Sequence, residues 1–171
     1  GRQVCLDPKF GDQFDHQAVI FEYTNGTRVF GFTRDMPECF NNTSDFIIGT
    51  KGRCNLLSYR IEGETNWRFE GNRGNMYDQE HAELFAAIRG GTVINNGDYM
   101  CLSTLLGVVA QMACYTGDVI IWDEALKSKR VLTPPDLSFN SEPPVKPGNE
   151  GIYPAPKPGK AEYAKWLMAE G

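Results

Sequence analysis

The two histidines are the side chains best suited to proton transfer near neutral pH. His81 lies in "NMYDQEHAELFAAIRGG", residues 75–91, next to Glu80 and four residues after Tyr77. Two interpretations stay open for His81. It is either a substrate-facing proton carrier or hydrogen-bond donor tuned by Glu80, or a core histidine bonded to the backbone or to a carboxylate. Glu80, His81 and Glu83 are wrongly spaced for zinc on one helical face, so no metal site is predicted.

Two further candidates lie in strand-like sequence. His16 follows Asp15 at the start of the first long strand, where it either points into a cleft or locks a loop through a hydrogen bond. Arg34, near the end of the next strand, either holds an anionic or hydroxylated ligand through its forked donors or forms a surface ion pair. The candidate substrate-binding residues are therefore His81, Tyr77, Glu80, Arg34 and His16.

No self-sufficient catalytic set occurs in the sequence. GxSxG, GxGxxG and Walker-type loops are all missing, so the chain lacks the usual nucleophile elbow and the usual phosphate cradles. The five cysteines form no CxxC or other metal spacing. Scattered cysteines in odd number indicate free thiols and favour a cytoplasmic location, with folded export to the periplasm as the alternative.

Composition narrows the class of protein. The 171 residues suffice for one domain, and 41% hydrophobic with 23% charged residues is typical of globular proteins. The net charge of -5 argues against nucleic-acid binding, which needs a basic face. No apolar run approaches 18 residues, so no membrane span is predicted.

The first half of the chain has the pattern of β-strands. The runs on either side of Asn25-Gly26, within residues 16–35, predict a hairpin with a type I′ turn. Shorter strands are expected around residues 45–48, 53–57 and 67–70, joined by turns. Short connections of this kind indicate a mostly antiparallel sheet.

Two helices are predicted next. Asn75 caps the first, whose inward face carries Tyr77, His81, Leu84 and Ile88, and Gly90-Gly91 end it. The second runs from a cap at Asp98 to about Thr116, is stopped by Gly117, and is apolar enough to press against the sheet. A strand over residues 118–122 and a short helix capped by Asp123 follow.

These elements predict an α+β fold: an open, mostly antiparallel sheet with helices packed on one face. The domain is assigned to residues 1–133. Residues 134–171 contain eight of the ten prolines and predict an extended arm that ends in a short amphipathic helix. Within that helix, Tyr163, Trp166 and Leu167 are expected to dock on the same subunit or on a neighbour.

The stretch from Tyr77 to Lys129 resembles the C-terminal domain of Gfo/Idh/MocA-type oxidoreductases, and the likeness extends from about Arg2 to Pro135. Upstream, "GRQVCLDPKFGDQFDHQAVIFEYTNGTRVFGFTR" and "IIGTKG" are similar to environmental bacterial members. The matching residues are Tyr77, Glu80-His81, Ala87-Ile88-Arg89, Gly91, Asn95, Ser103-Thr104, Met112, Tyr115-Thr116-Gly117 and Trp122-Asp123-Glu124-Ala125-Leu126.

The resemblance implies that this chain is one of two domains with different roles in a longer parent protein. An N-terminal Rossmann domain would bind NAD or NADP and carry the catalytic lysine, and neither that lysine nor the family's Asp/His pair maps onto this chain. This chain would be the substrate-binding and oligomerisation domain of an oxidoreductase acting on a sugar, polyol or related hydroxylated substrate, inactive alone. Homo-oligomers would form through the sheet face. The alternative is a non-catalytic carbohydrate- or protein-binding and assembly module of the same fold.

Overall fold

The computed structural model describes residues 1–129, 136–142 and 146–159. The chain divides into two compact units: Gly1–Pro37 with Gly97–Gly171, here called the hairpin unit, and Glu38–Asn96, here called the meander unit. Each unit contains one antiparallel sheet, and three α-helices are described. The predicted α+β class with antiparallel sheets is confirmed.

The hairpin unit begins with strands β1 (His16–Glu22) and β2 (Arg28–Arg34), which pair antiparallel from His16 opposite Arg34 to Glu22 opposite Arg28. The hairpin is at the predicted place, but the prediction of a type I′ turn was wrong. Only Gly26 has a positive φ, at 83°, and Tyr23 N–H donates to Thr27 O across a three-residue loop at 2.9 Å. A three-residue hairpin loop needs only one left-handed residue, here Gly26, whereas a two-residue type I′ turn needs two. Asn25 therefore need not adopt a positive φ.

Helix α2 (Gly97–Thr116) crosses the hairpin unit and packs against β1. It begins one residue before Asp98, so Asp98 lies in the first turn and is not the predicted cap; Gly117, with φ of 77°, ends it as predicted. Among the described residues it is the one helix apolar and long enough to cross a membrane, by length and composition alone. Core helices meet the same criterion, and the absence of a membrane span stays a prediction.

The buried centre of the hairpin unit is small and joins distant parts of the chain. The Phe14 and Tyr115 rings stack with centroids 3.9 Å apart, and Phe14 N–H donates to the Tyr115 hydroxyl at 2.9 Å. Cys114 lies beside them and its Sγ donates to Ala18 O at 3.7 Å. Val19 packs against this cluster, which places α2 against β1.

The segment after α2 differs from its prediction. Residues 118–121 form no strand, and helix α3 (Trp122–Lys127) begins at Trp122 with no side-chain cap. Asp123 therefore lies in the first turn instead of capping the helix. A strand needs a neighbour to complete its ladder, and Asp118 N–H donates instead to Thr116 Oγ1 at 3.1 Å.

The meander unit contains β3 (Phe46–Gly49), β4 (Gly52–Asn55), β5 (Arg60–Gly63) and β6 (Trp67–Arg68) in sequential antiparallel order. The sequence analysis did not predict β5. Its residues alternate Arg-Ile-Glu-Gly without an apolar run, and Arg53–Glu62 and Arg60–Glu62 ion pairs at 2.7 and 2.6 Å accompany its pairing with β4.

Helix α1 (Met76–Gly90) follows in the meander unit, with both ends as predicted. Asn75 Oδ1 accepts from Tyr77 N–H at 2.9 Å, and Gly91 is left-handed with φ of 67°. The face carrying Tyr77, Leu84 and Ile88, predicted to point inward, is exposed, and the helix has no buried residue. The prediction that this face is buried was therefore wrong, because the spacing of residues defines an apolar stripe but not the surface that covers it.

The described parts of the Pro-rich arm contain no α-helix or strand, only a 3-10 turn at Asn149–Gly151. The arm returns to the hairpin unit, where Gly159 N–H donates to Tyr115 O at 2.9 Å. The helix predicted over residues 160–170 lies outside the described residues.

The two glycines that end α1 provide a test of local conformation. Gly90 is the last helical residue and Gly91 is left-handed, and an added Cβ would meet no atom within 4 Å at either position. Gly90→Ala should stabilise the fold by a few tenths to about 1 kcal/mol, since alanine favours the helix. Gly91→Ala should destabilise it by about 1–2 kcal/mol, because only the left-handed conformation penalises the side chain. Urea unfolding followed by circular dichroism measures both; shifts of the same sign would contradict this account.

Candidate functional site

Asp15 and His16 form a hydrogen-bonded pair at the start of β1. His16 Nδ1 lies 2.8 Å from Asp15 Oδ1, with the imidazole side chain 38% exposed and the carboxylate only 8% exposed. The other carboxylate oxygen accepts the backbone N–H groups of Val4 and Cys5, both at 2.6 Å. A carboxylate on one ring nitrogen orients the imidazole, so its other nitrogen is available to exchange a proton or bind a hydroxyl group.

The environment holds Asp15 in its charged form. Burial is the largest influence and raises its pKa, but the N–H of Cys5, the His16 ring and the N–H of Val4 together outweigh it, and the pKa falls to about 2. Charge-assisted hydrogen bonds to a buried carboxylate have this effect because they stabilise only the ionised form strongly. Asp15 is therefore a permanent anion behind His16 at neutral pH.

Arg34 is the direct cross-strand partner of His16. Side chains that face each other in this way have Cβ atoms about 4.5–5.5 Å apart, so the imidazole and the guanidinium share one edge of the hairpin. The structure thus brings together two candidates that lie eighteen positions apart in the chain. A planar cation beside an oriented imidazole can bind a hydroxylated or anionic group.

The other three candidates lie in the meander unit, in the first turns of α1. His81 Nδ1 lies 2.7 Å from Tyr77 O, one turn earlier, and the His81 ring is 6.5 Å from the Phe85 ring. A bond to a carbonyl requires the proton on Nδ1, which leaves Nε2 of the neutral ring as an acceptor. Tyr77, Glu80 and His81 are all exposed, so this turn presents a phenol, a carboxylate and an imidazole to solvent.

The hairpin unit also contains a groove of about 1320 Å³ that the sequence analysis did not identify. It lies between β1 and α2 and extends to the segment before α3. None of the five candidates lines it. Its lining residues are 18–24, Arg28, Tyr99, Leu102, Ser103, Leu106, Val109, Ala110, Ala113, Cys114 and 118–123.

The groove has apolar walls and a polar rim. Leu102, Leu106 and Val109 line it from α2, and Asp118 and Asp123, which follow α2 in the chain, add carboxylates. No described basic residue pairs with either carboxylate. The sequence contained one signal for this groove, the apolar character of α2 on all sides. One strand pair cannot cover a helix that is apolar all round, so part of the helix surface must stay open.

A metal or a dinucleotide would each need a particular arrangement of the described residues. Among them, no group of three or more His, Cys, Asp or Glu side chains comes together. A dinucleotide binds at the turn between a strand and a helix in a parallel βαβ unit, whereas every described strand pair is antiparallel. The described residues therefore contain no site of the Rossmann type, and no hydride-transfer step is assigned to them.

Searches against protein-family models, curated proteins and solved structures each returned no match. The chain is therefore not assigned to a family. The resemblance of its sequence to the Gfo/Idh/MocA C-terminal domain supports a proposal about function.

The lowered pKa of Asp15 predicts a specific dependence of folding stability on pH. Its folded pKa of about 2 lies below the ordinary 3.8, so its contribution is fully present above pH 4 and is lost as the pH falls towards 2. The contribution amounts to at most about 2 kcal/mol. Asp15→Asn should lower stability at pH 7 and flatten the stability profile between pH 5 and pH 2.5.

Urea unfolding at a series of pH values measures this effect. Asp12→Asn is the matched control, since Asp12 is near in sequence and accepts no hydrogen bond in the described residues. An Asp15→Asn profile parallel to that of the unmodified chain would show that Asp15 is not the group responsible.

Proposed function

We propose that this chain is the C-terminal substrate-binding and oligomerisation domain of an NAD(P)-dependent oxidoreductase acting on a sugar, polyol or related hydroxylated compound. A separate N-terminal domain of the parent protein would bind the nicotinamide cofactor and carry the catalytic residues. The resemblance over residues 2–135 supports this assignment, as does the α+β class of the fold.

The observation that carries the oligomerisation role is the outer face of the hairpin. Side chains alternate across a strand pair, and Val19 on one face packs against the buried cluster. Opposite it, Ile20, Phe30 and Phe32 are 61%, 56% and 75% exposed. Register places Ile20 beside Phe30 and Ala18 beside Phe32, so the four form one apolar patch.

Charged and polar pairs border this patch at both ends. Glu22 and Arg28 form an ion pair of 3.2 Å at one end, and His16 faces Arg34 at the other. An apolar centre with a polar rim is the usual anatomy of a protein–protein interface. A two-fold contact would bury the patch against its own copy, which is how most homo-oligomers form.

The proposed substrate contacts within this chain are polar and non-catalytic. In the hairpin unit, Arg34 can donate to hydroxyl oxygens and His16 Nε2 can accept from hydroxyl groups, with Asp15 holding the imidazole in place. In the meander unit, Tyr77, Glu80 and His81 offer donors and acceptors of the same kind. Neutral hydroxylated ligands suit such a set, since each hydroxyl both donates and accepts.

Titration with NADH tests whether the cofactor binds outside this chain. The three tryptophans provide a fluorescence signal, and the product of the complete reading frame that contains this chain is the comparison. NADH should bind the complete product and reduce the carbonyl form of a sugar there, and NAD+ should oxidise the hydroxylated form, but neither should change the fluorescence of this chain. NADH binding by this chain itself would refute the proposal. A reading frame with no upstream nucleotide-binding segment would favour the rival, a non-catalytic binding or assembly module.

The outer face predicts a dimer that one substitution disrupts. Phe32→Glu places a carboxylate at the centre of the patch and should weaken self-association by at least several-fold, because an unpaired charge would be buried in the interface. Phe139→Glu is the matched control, since Phe139 lies in the arm and is fully exposed. Sedimentation equilibrium measures both variants. A monomeric unmodified chain, or a Phe32→Glu variant that still associates like the control, would refute the interface.

A further inference from the structure

The groove between β1 and α2 adjoins the outer face of the hairpin, with which it shares Ala18 and Ile20. Phe30 and Phe32 do not line it, whereas Leu102, Leu106 and Val109 do. Leu102 is 47% exposed even though it faces a concave surface. Leaving such a wall in water costs about 25 cal/mol per Å² of apolar area, so a covering segment would be stabilising.

We propose that the C-terminal segment of the same chain, residues 160–171 with the sequence KAEYAKWLMAEG, binds in this groove as an amphipathic helix. The observations that support this occupant are the point where the described chain ends, the length of the segment, and its pattern of apolar and charged residues.

The second described stretch of the arm ends beside the C-terminal end of α2. Gly159 N–H donates to Tyr115 O at 2.9 Å, and an added Cβ on Gly159 would lie 3.2 Å from Thr116 O. This contact fixes the start of the segment at the C-terminal end of α2. Cys114 and Asp118, on either side of that end, both line the groove.

The length of the segment fits that of the groove. Twelve helical residues span about 18 Å at 1.5 Å each. The part of α2 that lines the groove, from Tyr99 to Cys114, covers about 22 Å by the same measure. A segment that starts at the C-terminal end of α2 and runs back along it would therefore cover most of the groove without leaving it.

The pattern of the segment matches the groove in polarity. Tyr163, Trp166 and Leu167 recur at three and four positions, which places them on one face of a helix. Lys160, at the start of the segment, would lie near Asp118 and Asp123, which have no described ion-pair partner. Solvent-exposed pairs contribute little affinity, so the apolar face supplies binding and the charges favour one orientation.

Fluorescence quenching of Trp166 in the full-length chain tests the proposal. Trp67→Phe and Trp122→Phe leave Trp166 as the single tryptophan. Trp166 should then be quenched by acrylamide several-fold less than a free tryptophan derivative. Adding Leu102→Glu to the groove wall should restore quenching, whereas Leu6→Glu, at a 64% exposed leucine outside the groove, should not. Full accessibility of Trp166 before the groove is altered, or equal responses to the two substitutions, would overturn the proposal.

Two further measurements identify the occupant and avoid dependence on the Trp122 substitution. Hydrogen exchange on the unmodified chain should show protected amides in residues 160–171, and unprotected amides there would overturn the proposal. In the Phe32→Glu variant, which disrupts the proposed dimer, protection of Trp166 should persist. Its loss in the monomer would show that the segment binds the groove of a second copy, and would refute the same-chain assignment.

Discussion

The hairpin unit depends on one side chain, Tyr115, which joins two parts of the chain 101 positions apart. Its ring stacks on Phe14 while its hydroxyl accepts the Phe14 N–H, so a single residue satisfies a buried donor and supplies the centre of the core. The carbonyl of Tyr115 also accepts the N–H of Gly159, which returns the arm to the same place. The N-terminal segment, β1, α2 and the arm thus converge on one residue of a helix.

That convergence positions the candidate chemistry. With Phe14 held against α2, the neighbouring Asp15 is placed where the backbone N–H groups of Val4 and Cys5 reach its carboxylate. The anion in turn orients His16 opposite Arg34. The packing and the candidate site are therefore linked through the adjacent residues Phe14, Asp15 and His16.

Both units expose more apolar surface than a stable isolated domain normally does. In the hairpin unit the exposed apolar residues form two adjoining surfaces, the outer face of the hairpin and the groove beside α2, which share Ala18 and Ile20. Different occupants are proposed for them, a second copy and the chain's own C-terminal segment. In the meander unit, α1 has no buried residue, and its apolar stripe is exposed.

The sequence by itself determined what neighbouring residues decide: the cap at Asn75, the left-handed end at Gly91, the reversal near Gly26 and the apolar length of α2. The cap and the two glycine positions depend on φ preferences or on a side chain reaching a backbone group two residues away, and the apolar length of α2 depends on composition, so no distant contact was needed. The tertiary structure decided the rest. The turn type at Asn25, the missing strand before α3 and the unpredicted β5 all depend on which partner a segment finds. Strand register also placed His16 beside Arg34, and hydrogen bonds from the backbone of Val4 and Cys5 hold Asp15 in its charged form. Neither could be read from the local sequence, because the neighbours of a strand and the donors to a carboxylate come from elsewhere in the chain.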